Sequence, residues 1–98
     1  MEKVTKPKVV TLATGTELVA KQMRANNGDL LPEHLADVES ILFIHEGACI
    51  LHINGEEKTL NHGDAFIIPA DTKHQIRVKA DNFKGTHFMP KGIKFEYF

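Results

Sequence analysis

Six histidines and one cysteine hold most of the reactive chemistry in this 98-residue chain. Imidazole titrates near neutral pH, moves protons and binds transition metals through either ring nitrogen, whereas a thiol must ionise before it attacks anything. Where the rings point depends on strand parity, since residues on one face of a strand recur every second position. On that rule His34 shares a face with Ala36, Val38, Ser40, Leu42 and Ile44, and His74 shares one with Ile76 and Val78. His87 is undecided. If Phe83 points inward, so do Gly85, His87 and Met89, and the opposite parity puts Thr86 and Phe88 inside. His45 and His52 alternate with inward residues and belong outside, and His62 sits in a turn before Gly63. Cys49 falls on the same face as Leu51 and Ile53, where a small buried thiol is the ordinary role.

The elements that position these side chains read as short strands separated by turns. Val9–Leu12 is a β-branched first strand. Leu18–Arg24 is ambiguous, because Leu, Ala, Lys, Gln, Met and Arg all favour helix, but Asn26-Asn27-Gly28-Asp29 stops it early. The run from His34 to Ile44 reads as one strand with both faces apolar after Ser40. Asn54-Gly55 is a two-residue hairpin signal, since both central residues of a type I′ turn need positive φ. Gly63-Asp64 opens Ala65–Ile68, Pro69–Thr72 turns the chain before His74, and Ile93, Phe95 and Tyr97 alternate with Lys94 and Glu96 in a last, half-buried strand. Many short strands at this spacing predict an all-β sandwich or barrel.

Two spaced patterns sharpen that expectation. Gly28, His34, Ala36, Ser40 and Gly47 form the first, and Gly63, Pro69, Asp71, His74 and Val78 the second. They resemble the two motifs of the cupin family, G-x5-H-x-H-x3,4-E-x6-G and G-x5-P-x-G-x2-H-x3-N, with Ala48–His62 as a short spacer. Gly28, His34, Gly47, Gly63, Pro69 and His74 match. Ala36 stands at the second His, Ser40 at the Glu, Asp71 at a Gly and Val78 at the Asn. The resemblance implies one cupin domain over residues 1–98, an antiparallel jelly-roll β-barrel, with core motifs at 28–47 and 63–78 and a strand rather than a helix over Leu18–Arg24. It also implies a cavity holding His34 and His74 beside Ala36, Ser40 and Cys49, where cupins bind a divalent metal. A His pair suits Zn, Ni, Mn, Fe or Cu but holds the ion weakly without a carboxylate. His87 would complete a three-His set if it faces inward. Glu39, one residue from the Glu position, faces away from His34 unless a bulge shifts the register.

A net charge of −1 gives no electrostatic case for nucleic acid. No apolar run approaches the roughly 18 residues of a membrane helix, and the lysine-rich start does not resemble a signal peptide. A single cysteine cannot form an internal disulfide, which fits a reducing cytoplasm. Ile41, Phe43 and Ile50 suggest an apolar outer stripe that a homodimer would cover. The expected function is binding of a small molecule in the barrel mouth beside a degenerate metal site. A metal-dependent dioxygenase or isomerase using His34, His74 and His87 is the alternative, and a purely structural dimer module the third reading. No arginine or lysine is assigned to the cavity, so the sequence names no ligand.

Overall fold

The computed structural model describes residues 2–98, and its regular elements are strands alone. In chain order these are β1 (Lys8–Thr14), β2 (Leu18–Ala25), β3 (His34–Ala36), β4 (Ser40–Glu46), β5 (Ala48–Ile53), β6 (Glu56–Asn61), β7 (Ala65–Ile68), β8 (His74–Val78), β9 (Phe83–Pro90) and β10 (Phe95–Tyr97). They form two five-stranded sheets, ordered β1-β2-β9-β4-β7 and β10-β3-β8-β5-β6, with every pairing between strands antiparallel. The jelly roll is therefore a sandwich of two open sheets rather than a barrel closed by hydrogen bonds. Leu42, Ile44, Cys49, Leu51, Val78 and Phe83 fill the space between the sheets where β4 and β9 face β5 and β8.

β2 is a strand despite its helical composition, because it pairs along its length with both β1 and β9. Ladder bonds on two sides outweigh preferences of a few tenths of a kcal/mol per residue. His34–Ile44 is not one strand. β3 and β4 lie in different sheets, and Asp37–Glu39 carries the chain between them. Asp37 anchors that crossing: its N–H donates to the Lys94 carbonyl at 3.1 Å and its Oδ1 accepts from the Lys94 N–H at 2.9 Å. Parity survives the change of sheet, and Ala36, Ser40, Leu42 and Ile44 are all buried.

The hairpin between β5 and β6 turns on Asn54 (φ 54°) and Gly55 (φ 72°), as a type I′ turn requires. In β9 the ambiguity is settled. Phe83, Gly85, His87 and Met89 are buried, and Phe88 is 44% exposed. Gly85 makes this possible, because a Cβ there would stand 2.9 Å from Phe83 Cζ. The expected outer stripe is also rearranged: Ile41 and Phe43 are in β4, but Ile50 is in the other sheet. The exposed apolar row instead runs Ile67–Ile41–Phe88 across β7, β4 and β9 in register.

Candidate ligand cavity and histidine cluster

His34 and His74 are brought together by pairing, being direct cross-strand partners where β3 meets β8. Their ring centroids are 4.4 Å apart. Each ring is held the same way: Nδ1 of His34 bonds the Pro32 carbonyl at 3.0 Å, and Nδ1 of His74 bonds the Thr72 carbonyl at 2.9 Å. A carbonyl only accepts, so each Nδ1 carries the proton and each neutral ring keeps its lone pair on Nε2. On the far side of His34, Tyr97 is its cross-strand partner in β10, with ring centroids 5.3 Å apart, and Phe95 lies at 5.5 Å.

His87 comes from the opposite sheet. It is 7% exposed, and among the described residues its buried Nε2 has no hydrogen-bond partner. Burial, followed by the nearby His34 and His74, pushes its pKa down to about 4, so the ring is neutral at pH 7. Burial lowers His74 as well, against the opposing hydrogen bond to Thr72. Among the described residues no group of three or more His, Cys, Asp or Glu side chains is placed to hold a metal ion. The three imidazoles occupy one region without closing into a cage.

Beside them is a cavity of about 830 Å³, opening where β1 and β2 face β3 and β10. Its wall is largely apolar, with Val9, Met23, Leu31, Ile76, Met89 and Phe95, and His34 and His87 contribute polar atoms. Val4, Lys6 and Pro7 reach the wall from the segment before β1. That segment is tied down by the Thr5 N–H to the Leu30 carbonyl at 2.8 Å and by an ion pair between Glu2 and Arg77.

The profile of the Cupin domain family matches residues 22–84, which contain both histidine motifs. The chain is a cupin. No curated protein sequence matches it. Among solved structures this cupin is similar to KdgF from a Halomonas species, with a TM-score of 0.77 at 22% identity, covering 84% of this chain and 76% of that one. It is similar to a cupin superfamily protein from Desulfitobacterium hafniense, with a TM-score of 0.77 at 17% identity over 92% of this chain and 82% of that one. A third is a salicylate 1,2-dioxygenase from Pseudaminobacter salicylatoxidans, with a TM-score of 0.78 at 16% identity. There the match covers 91% of this chain but 29% of the dioxygenase. At these identities the likeness is one of fold.

Of the residues singled out in the sequence of this cupin, His34 and His87 line the cavity, and His74 is packed against His34 at 2% exposure. Ser40, Ala36 and Cys49 are buried but do not line it. Cys49 belongs to the apolar core, and burial pushes its thiol up to about 12, leaving it unionised. Glu39 is exposed. Two kinds of wall residue escaped the sequence reading. Lys21 lies on the inward parity of β2 between Val19 and Met23, opposite His87, and with Lys6 it brings basic side chains to the cavity wall. The sequence assigns no facing to β2, because its composition does not alternate apolar with polar residues, and so Lys21 went unassigned. Tyr97 and Phe95 were missed as companions of His34, because nothing local joins β10 to β3.

Proposed function

We propose that this cupin binds a small organic molecule in the cavity between its sheets, with His34 and His87 meeting the ligand's polar atoms, and His74 backing His34, beside a degenerate metal site. The observation that carries this reading is that His87 lines a cavity large enough for a small metabolite while its buried Nε2 has no hydrogen-bond partner among the described residues. A buried polar atom without a partner costs about 1–3 kcal/mol, so hydrogen-bonding capacity is left unmet beside the cavity. Met23 and Met89 line the same cavity, so their methyl carbons report on occupancy. Titrating protein labelled at the methionine methyls with a library of small metabolites should shift both resonances for the true ligand class. Shifts confined to other regions would reject the cavity as the site.

A second reading, a metal-dependent cupin enzyme, is favoured by the matched Nδ1–carbonyl bonds of His34 and His74, which fix each ring and leave its Nε2 lone pair free, as backbone carbonyls do for histidines that bind metal. Those two residues would hold a divalent transition metal, which would act as a Lewis acid on a bound substrate. The donor set fits only a loosely held ion, because the cavity wall carries no carboxylate and Ala36 and Ser40 stand where cupins place a His and a Glu. Metal analysis of protein purified without chelators separates the readings: near-stoichiometric metal supports the enzyme, and substoichiometric metal the binding protein. The dioxygenase of similar fold makes oxygen-dependent chemistry the first activity to assay if metal is found. A reducing, cytoplasmic setting is supported by the lone, buried and unpaired Cys49. The partner proposed for the exposed Ile67–Ile41–Phe88 row is a second copy of the chain.

A further inference from the structure

We infer that the cavity selects an anionic ligand, a carboxylate with an apolar or aromatic body, whose charge rests on Lys21 and Lys6 and whose second polar group meets the His87 ring. This inference rests on the cavity being the ligand site, as proposed above. Lys6 and Lys21 both line the cavity, no Asp or Glu does, and among the described residues neither ammonium has a carboxylate within ion-pair distance. The lysines are therefore uncompensated where a ligand enters.

The spacing constrains the ligand further. Lys21 and His87 are direct cross-strand partners on β2 and β9, with both side chains on the cavity side of the sheet. Residues opposed in this way have Cβ atoms about 4.5–5.5 Å apart. A ligand bridging them carries its anionic group and its second polar atom along one edge, as a hydroxy or oxo acid does. The remainder of the ligand lies against Met23, Ile76, Met89 and Phe95, which accept only an apolar surface. His87 is neutral at pH 7 and supplies a hydrogen bond without charge. Charge recognition is left to the lysines.

The test uses 3-hydroxybenzoate and its uncharged amide, 3-hydroxybenzamide, followed through the methyl resonances of Met23 and Met89 in the full chain. The acid should bind about ten times more tightly than the amide, the size of one charge contact at a partly solvated site. Its advantage should shrink as NaCl is raised. Lys21→Met with Lys6→Met should bring acid and amide to equal affinity, while Lys21→Arg keeps the preference. Both lysines are exposed, so these substitutions leave the core untouched. If acid and amide shift the two methionines at the same concentrations, the anion inference is overturned and the cavity reading stands. A preference that survives the double substitution also overturns the assignment. If neither compound moves Met23 or Met89, the anion inference is overturned, and the cavity reading is decided by the metabolite titration above.

Discussion

His87 is neutral and buried, and the fold resists its protonation. In the unfolded chain its ring titrates near about 6.5, and in the fold it is pushed down to about 4. Above pH 6.5 the ring is uncharged in both states and does not affect the pH dependence. As pH falls from about 6.5 to 4, the unfolded chain takes up a proton that the folded chain refuses. Stability therefore drops across that window, by up to roughly 3 kcal/mol from this ring. His74, also lowered by burial, acts in the same direction. Urea unfolding of His87→Leu at pH 7 and pH 4.5 should show a much smaller acid loss than the parent. At pH 7 the variant should be as stable as the parent or about 1 kcal/mol more so, because a partnerless polar atom has been removed. An unchanged acid loss would mean that His87 is not the group responsible.

At the scale of strands, β9 presents His87 to the cavity because Gly85 lets the Phe83 ring lie over the backbone beside it. Gly85→Ala should destabilise the protein by about 1–3 kcal/mol through overpacking, seen as a lower urea midpoint. A variant that melts like the parent would remove this account of β9. How much was readable beforehand follows from where each signal lies. The turns were legible from local chemistry: Asn54, Gly55 and Asp71 all take positive φ where the sequence placed turns. Parity was legible wherever polar and apolar residues alternate, so Cys49, Leu51, Ile53, His74, Ile76 and Val78 turned inward as expected. The division of His34–Ile44 between two sheets was not, since neither side of Asp37–Glu39 carries a Gly or Pro to mark the crossing. His87 needed the packing of Phe83 on Gly85, and Lys21 needed the register of β2 on β9, so both depended on tertiary contacts that local pattern does not encode.

Taken whole, the molecule has unequal outer surfaces. On the sheet ordered β1-β2-β9-β4-β7, Ile67, Ile41 and Phe88 are 51%, 40% and 44% exposed in one uninterrupted row. A second copy packed on it about a two-fold axis would bury the row against itself. Light scattering should then show a dimer at micromolar concentration, and Phe88→Glu should give a monomer, because an unpaired carboxylate is costly to bury. A monomeric parent would end that proposal. The sheets are also unequally fastened around the cavity. β5 and β8 share five register pairs, but β3 and β8 share only His34↔His74, helped by the Leu31 N–H to Ile76 and Asp71 N–H to Ala36 bonds. The wall carrying His34, Phe95 and Tyr97 is thus fastened to β8 by one ladder pair and scattered bonds, the Leu30↔Arg77 bridge and the Gln75 side chain on the Leu31 carbonyl among them. Its strands are only three residues long. In amide hydrogen exchange, β3 and β10 should open locally well before β5 and β8, which wait for global unfolding. A ligand seated against His34 would slow exchange most in these two strands, so the cavity wall that is quickest to breathe is also the one that occupancy should quieten.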